Sequence, residues 1–218
     1  MDEESRTAGT AAGGRQLILR GTYAVVRSQG FHRATVSDIC REAGIARATF
    51  YVYFGSKLDA FVATMEDVVE RLYEEAGQRY PDEDEYGRIV RGNVTYLQAW
   101  ARDREVLAEW FALALIDDRV GETYRKRRDQ FEERLEGRIS RLIAAGRIPA
   151  TDARMLAVTL SGMVESFVRR FLAPGDHDLE EPAGFQAAVR VVSEAWYRMV
   201  YGEQPPAYDY SRFCLQSS

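Results

Sequence analysis

A segment of the sequence, residues 35–57, carries side chains of the types that contact DNA. It reads TVSDICREAGIARATFYVYFGSK. An arginine can donate two hydrogen bonds to the edge of a guanine, and small apolar side chains can touch thymine methyl groups. Hydroxyl groups can donate to phosphates. We therefore expect Arg47 to read guanine, Ala48 and Val52 to touch thymine, and three hydroxyls to reach phosphates, those of Thr49, Tyr51 and Tyr53.

Two short helices joined by a tight turn must position these side chains. Thr35 suits an N-cap, with Asp38 three residues later, and Gly44 suits the end of the helix that follows. After the Gly-Ile-Ala turn, helical spacing over 47–53 places Phe50 toward the core and leaves the opposite arc free. The pattern predicts a helix-turn-helix, whose second helix can enter a major groove.

Lys57 lies in the first turn of the next predicted helix, which a second capping pair, Ser56 and Asp59, opens. A cation there opposes the helix dipole and costs about 0.3 kcal/mol or more. A DNA phosphate beside this helix would compensate the cost, and the free N–H groups after Thr35 could hold another phosphate. In the alternative interpretation, Lys57 is solvated and the two tyrosines of the segment are partly buried packing residues.

Charge is distributed unevenly along the chain. The net charge is -5, yet residues 5–58 hold eight Lys and Arg against two acids, which leaves the remainder at -11. A basic end on an acidic body favours approach to a polyanion such as nucleic acid, although charge runs are also typical of solvated surfaces.

The stretch TVSDICREAGIARATFYVYFGSKLDAF resembles the DNA-binding signature of the TetR/AcrR family of bacterial transcriptional regulators. In that family a G-[VI]-[ST]-x-x-x-[LF]-Y-x-[HY]-F-x-[ST]-K pattern closes the motif. The resemblance implies an all-helical homodimer whose two reading heads occupy a palindromic operator on double-stranded DNA. It places the family's base contacts on Arg47, Ala48 and Tyr51, and its phosphate contacts on Thr35, Thr49, Tyr53 and Lys57.

Two positions depart from the family pattern. Ala46 stands where Ser or Thr is usual, and alanine cannot accept the N-cap hydrogen bond, which costs about 0.5–2 kcal/mol of helix stability. Val52 stands where an aromatic residue is common, so we expect one base contact to be weaker or different.

Helical periodicity extends through the chain and predicts an all-α protein of about nine helices. We expect a disordered N-terminal tail over 1–14, a helix-turn-helix domain over 15–62, a helical ligand-binding and dimerisation bundle over 63–202, and a C-terminal tail over 203–218. Predicted helices cover 16–28 and 47–53 in the first domain, a fourth reaches about residue 77, and the others cover 85–101, 104–116, 121–145, 151–172 and 182–201.

Large aromatic side chains recur on the predicted helices of the second domain. A mostly apolar cavity with a few polar anchors is the usual form of a small-molecule site in a helical bundle. The candidate lining residues are Asn93, Tyr96, Trp100, Trp110, Phe111, Tyr124, Phe131, Met163 and Phe167. Glu165 is a candidate anchor within an apolar run. The same spacing is also typical of plain core, and that alternative stays open.

The last two predicted helices have broader apolar coverage than one inward face requires. Small residues at Ala157, Ser161 and Gly162 would allow close approach of another helix. The family resemblance implies a four-helix bundle there, with two helices from each subunit of a homodimer. The alternative is that both helices are buried within one subunit.

In a dimer, a small-molecule effector that moves the reading helices away from a spacing of about 34–36 Å would release DNA.

Other functional classes find little support in the sequence. It contains two histidines and two cysteines without metal-ligand spacing, and no nucleotide-binding or nucleophile motif, so we expect no catalytic site, no metal and no cofactor. The N-terminus is unlike a signal peptide and no apolar run reaches the length of a membrane span, which predicts a cytoplasmic protein without membrane contact. A helical scaffold or protein-binding module remains the main alternative.

Overall fold

Nine helices make up the regular structure of the described residues in a computed structural model of the chain. The structure describes residues 3–77, 84–171 and 181–215, with the side chains of 13–75, 84–170 and 181–215. The helices are α1 Glu3–Gln29, α2 Val36–Ala43, α3 Arg47–Tyr53, α4 Lys57–Gly77, α5 Glu85–Arg102, α6 Arg104–Ala114, α7 Asp118–Ala144, α8 Ala153–Phe171 and α9 Pro182–Tyr201. The all-α prediction is confirmed.

The first helix differs from its prediction. It begins at Glu3 rather than near residue 16, so most of the segment predicted to be a disordered tail is helical. Alanine, glutamate and arginine in this segment favour helix, and acidic residues are favourable in a first turn.

The described chain divides into two compact units, and this division also differs from the predicted one. The first unit runs to Val69 and includes Glu105–Thr123, and the second contains Glu70–Arg104 and the chain from Tyr124 onward. The predicted boundary after residue 62 assigned α6 to the second domain. In the structure Leu107 and Trp110 of α6 are buried.

Close contact between α1 and α2 organises the first unit. An ideal Cβ added to Gly21 would lie 3.0 Å from the carbonyl oxygen of Ile39 and 3.0 Å from the Cβ of Ala43, so only glycine lets the two helices approach this closely. Ile18 and Ile39 are fully buried. Helix α2 ends at Gly44, whose φ of 67° is left-handed, which confirms the predicted stop.

The second unit is built on α5 and α9, together with α8 and the greater part of α7. Tyr86, Leu97, Phe185 and Val189 are buried in its core. The buried amide of Asn93 on α5 donates to the hydroxyl of Ser193 on α9 at 3.0 Å. A polar bond of this kind fixes the register of two helices that apolar contacts alone would leave free to slide.

The C-terminal segment 203–215 is bound to the second unit. Gln186 donates to the carbonyl oxygens of Ser211 and Phe213 at 3.0 and 3.1 Å, and Gln98 donates to the carbonyl oxygen of Cys214 at 2.7 Å. The hydroxyls of Tyr86 and Tyr210 share a hydrogen bond. These contacts hold the segment on α5 and α9.

Gly21→Ala is expected to lower the free energy of unfolding by about 1–2 kcal/mol, since the steric cost exceeds the gain of about 1 kcal/mol that alanine brings within a helix. Gly137→Ala is the control, because only the side chain of Arg141 lies near its added Cβ, at 3.9 Å. It should raise stability by about 0.5–1 kcal/mol. Urea unfolding followed by circular dichroism measures both, and stabilisation by Gly21→Ala would contradict the close approach.

Candidate functional site

The N-terminus of α2 is held by a complete capping box. The Thr35 hydroxyl accepts from the Asp38 amide at 3.1 Å, and the Asp38 carboxylate accepts from the Thr35 amide at 3.1 Å and from its hydroxyl at 2.6 Å. The Thr35 hydroxyl is the main cause that lowers the pKa of Asp38. The predicted N-cap is confirmed, whereas a phosphate contact by Thr35 stays a prediction.

Helix α3 has one buried side and one exposed side, as its spacing predicts. Phe50 is fully buried, whereas Tyr51 is 48% exposed and Val52 is 77% exposed. Arg47 and Ala48 are also exposed. The four exposed side chains therefore form a continuous surface available to a groove.

Arg47 is held in place at this surface before any ligand binds. Its guanidinium donates to the Ser37 hydroxyl at 3.1 Å and to the Tyr51 hydroxyl at 3.2 Å, and its Cζ lies 5.7 Å from the centre of the Tyr51 ring. The first bond joins α3 to α2. A guanidinium held in this way loses less conformational entropy on binding a guanine.

Thr49 and Tyr53, both predicted to contact phosphates, are half-buried. Tyr53 packs on α1, because a Cβ added to Gly14 would lie 2.7 Å from its hydroxyl oxygen. Close by along α1, the exposed guanidinium of Arg15 lies 5.7 Å from the centre of the Phe54 ring. The sequence prediction did not include Arg15, which the basic charge of the segment could have indicated.

Lys57 occupies a place that the prediction did not anticipate. Its ammonium donates to the carbonyl oxygens of Phe31 and Ala34 at 2.7 Å each and to that of His32 at 3.5 Å. It also lies 4.3 Å from the centre of the Phe31 ring. Burial lowers the pKa of Lys57. Backbone carbonyls and a ring face therefore compensate the charge of Lys57 in the structure, whereas a phosphate contact by Lys57 stays a prediction.

The second predicted capping pair is confirmed at the start of α4. The Ser56 hydroxyl accepts from the Asp59 amide at 3.1 Å and donates to the Asp59 carboxylate at 2.7 Å. Arg119, at the start of α7, also donates to this carboxylate. The Ser56 hydroxyl bond and then Arg119 are the main causes that lower the pKa of Asp59.

A separate cavity of about 380 Å³ lies within the second unit. Aromatic rings form much of its wall, and the rings of Tyr73 and Phe131 stack with centres 4.7 Å apart. Three of the predicted residues line it, Asn93, Tyr96 and Phe131, and so does the predicted anchor Glu165. Sequence reasoning missed the other charged and aromatic members of the lining, which are Tyr73, Glu74, Arg88, Arg134, Arg138 and Trp196.

The other six predicted lining residues lie outside this cavity, so the structure does not bring the nine together. Trp110 and Phe111 belong to the first unit, where Trp110 is buried. Trp100 is buried behind Tyr96, with ring centres 6.2 Å apart. Tyr124 donates to Glu165 from outside the lining. Met163 and Phe167 are half-buried elsewhere on α8.

Ion pairs fix the polar part of the cavity wall. Glu85, at the start of α5, accepts from Arg138 at 3.2 Å, from Arg147 at 3.1 Å and from the Tyr201 hydroxyl at 3.1 Å, and it also pairs with Arg88. Burial alone would raise the pKa of the Glu85 carboxyl. The four partners lower the pKa by more, so it lies below its usual value. One carboxylate thus orients two of the lining arginines.

Part of the broad apolar coverage of α8 and α9 faces the core, and the use of these helices in a dimer stays a prediction. Five apolar residues are buried within the single chain: Leu160, Val164, Phe185, Val189 and Val192. A different stripe of α8 and α9 is exposed. It contains Met155, Thr159, Gly162 and Ser166 on α8 and Ala187, Val191 and Met199 on α9.

Two classes of site are absent from the described residues. Within them, no cluster of three or more His, Cys, Asp or Glu is arranged to hold a metal ion. None of the helices described is both long and apolar enough to span a membrane.

The chain is similar in sequence to known bacterial regulators. Residues 18–64 match the bacterial regulatory proteins of the tetR family. The HTH-type transcriptional regulator YvdT of Bacillus subtilis is 25% identical over 170 residues, which cover 77% of this chain and 87% of that protein.

Solved structures share the fold. A TetR-family regulator from Mesorhizobium loti aligns with a TM-score of 0.71 at 16% identity, over 86% of this chain and 96% of that one. A regulator from Saccharomonospora viridis, in complex with choline, aligns with a TM-score of 0.63 at 19% identity, over 84% and 94%. The likeness in fold therefore extends well beyond the matched N-terminal segment.

Ala46→Ser is expected to raise the free energy of unfolding by about 0.5–2 kcal/mol. Ala46 is the N-cap of α3 without a side-chain hydrogen bond, and its extended backbone, φ -71° and ψ 148°, suits a capping serine. Thermal unfolding measures the effect. Ala48→Ser, inside the same helix and also exposed, is the control and should be destabilising by about 0.5 kcal/mol. Equal shifts in both variants would contradict the assignment of the cap.

Proposed function

We propose that this chain, which belongs to the TetR family of bacterial transcriptional regulators, represses transcription by binding a palindromic operator as a dimer. A small molecule with an apolar or aromatic body releases it. The observation that carries the proposal is α3, which buries Phe50 and exposes Arg47, Ala48, Tyr51 and Val52 on one side. The chain acts in the cytoplasm, where operator DNA is found.

Direct readout of bases is assigned to the exposed surface of α3. Arg47 donates to guanine, and Ala48 and Val52 touch thymine methyl groups. Tyr51 both supports Arg47 and reaches the groove. Thr35, Thr49 and Tyr53 contact phosphates and set the position of the helix on the duplex.

Dimerisation is assigned to the exposed stripe of α8 and α9. Val191 and Met155 are each 58% exposed, although both are apolar. A Cβ added to Gly162 would have no neighbour within 4 Å, so a second copy can approach α8 closely there. An isologous contact through this stripe gives a two-fold dimer, which matches the symmetry of a palindromic operator.

The effector site is assigned to the cavity of the second unit. Its volume lies within the usual range for small-molecule sites, and rings with a few polar groups are the usual lining. Ring faces also accept organic cations, so choline, present in the Saccharomonospora viridis regulator, belongs in the first panel of compounds. An effector changes operator affinity only by as much as it prefers one of two conformations.

The rival functions lack a comparable site. A helical scaffold would leave the exposed, hydrogen-bonded Arg47 of α3 without a role. For an enzyme, the sequence offers no catalytic motif to place in the cavity. A regulator uses both the surface of α3 and the cavity.

The test of operator binding is fluorescence anisotropy against duplexes tiled across the DNA upstream of the coding sequence, at low and near-physiological salt. We expect saturable binding of two chains to one tile. Arg47→Ala should reduce the preference for that tile over others by about 1–3 kcal/mol, because the lost pair reads one base. Arg125→Ala, exposed on α7, is the control and should change little. Equal binding to every tile that vanishes with salt would overturn the proposal.

Phe131→Ala is expected to raise the effector concentration needed for half-maximal release about tenfold, because a buried aromatic contact is lost. Affinity for DNA without effector should be unchanged. Phe167→Ala is the control, since that ring lies on α8 outside the cavity lining. The measurement uses whichever compound of the panel releases the bound duplex, and records the fraction of duplex released against the concentration of that compound. Equal effects of both changes would move the effector site elsewhere.

A further inference from the structure

We propose that Lys57 supports operator binding as a positioning residue, which holds the turn between α1 and α2 against α4, and that this anchoring, rather than a contact with a DNA phosphate, is its main contribution to affinity. The inference rests on the proposed function. It assigns to Lys57 a role opposite to the one that its charge and its place in the motif predict.

Two donors of Lys57 are used within the protein at short distance, and the third makes only a long contact. A lysine ammonium has three N–H donors and no acceptor. Three carbonyl oxygens receive them, at 2.7 Å from Phe31, 2.7 Å from Ala34 and 3.5 Å from His32. The Phe31 ring covers another side of the ammonium, with its centre 4.3 Å away. A phosphate could therefore compete only for the donor that faces His32, while the two bonds at 2.7 Å keep the anchor in place.

The three carbonyls belong to the segment that leads into α2. Thr35, the N-cap of α2, directly follows Ala34, so the anchor lies one residue before the helix. Phe31 also packs on Phe61 of α4, with ring centres 4.9 Å apart. Lys57 therefore fixes the start of α2 to the start of α4, and the turn at Gly44 carries that position on to α3.

Lysine and arginine are not equivalent in this role. An ammonium directs its three donors around a tetrahedral nitrogen, whereas a guanidinium is planar and larger. Converging carbonyls within 3.5 Å of one nitrogen suit the ammonium. A phosphate, in contrast, accepts from arginine at least as well as from lysine. Lys57→Arg therefore separates the two roles.

The test compares Lys57→Met and Lys57→Arg with the unmodified chain by anisotropy on the tile it prefers, over a range of salt concentrations. Lys126→Met, an exposed lysine of α7, is the matched control. We expect both changes at Lys57 to weaken binding about tenfold or more, as for a buried acceptor left without its donor. The slope of log affinity against log salt should remain unchanged. Near-normal binding by Lys57→Arg, with a slope reduced by about 0.9 in Lys57→Met, would overturn the proposal.

Amide hydrogen exchange without DNA provides an independent readout. The Ala34 amide donates to the Gly30 carbonyl at 3.2 Å, so it reports on the anchored turn. We expect faster exchange at Ala34 in both Lys57 variants and no change in Lys126→Met. Unchanged exchange in the Lys57 variants would refute the anchoring whatever the DNA result. Failure of the unmodified chain to bind any tile would instead refute the proposed function.

Discussion

The burial of Phe50 is the constraint on which the first unit depends. Helix α3 has seven residues, far fewer than the 12–15 or so that an isolated helix needs to be even marginally stable in water. It also lacks a side-chain N-cap. Its stability must therefore come from packing, and Phe50, fully buried, supplies it. The ring of Phe54, 6.0 Å away, extends the same contact beyond the end of the helix.

This constraint also explains the exposed surface of α3. A helix anchored by one ring on one side leaves the residues of the opposite side without packing partners in the unit. Arg47 is then free to be held by hydrogen bonds to Ser37 and Tyr51 rather than by burial. The neighbouring helices hold α3 without covering it. Because α3 is short, one buried residue anchors it and the residues of the opposite side remain exposed.

Signals that lie close together in the chain could be predicted from the sequence. Thr35 with Asp38, Ser56 with Asp59, and the stop at Gly44 each involve residues no more than a few positions apart, and all three are present in the structure. The surroundings of Lys57 could not be predicted, because its partners are backbone carbonyls 23 and 26 residues away. Every residue has a carbonyl, so such a bond has no signature in the sequence.

The cavity could be predicted only in part for a related reason. Phe131 and Trp110 both lie on helical stripes of large rings, yet one lines the cavity and the other is core of the first unit. Periodicity says that a side chain faces inward, but not which helices meet there. Glu85 and its arginines were missed because charge near a helix start normally indicates a solvated surface. The polar wall depends on Arg147 and Tyr201, which only the tertiary fold brings to Glu85.

The bound C-terminal segment gives the chain a natural attachment point for a spectroscopic reporter. The protein has two cysteines. Cys40 is buried in α2 and Cys214 is exposed, so a mild alkylating probe will modify Cys214 first. The carbonyl of Cys214 is held by Gln98, and its neighbour Phe213 by Gln186. A spin label or fluorophore there will follow the motion of α5 and α9 instead of swinging on a loose chain end. Distances between two such labels in a dimer would then report on movement of these helices without any engineered cysteine.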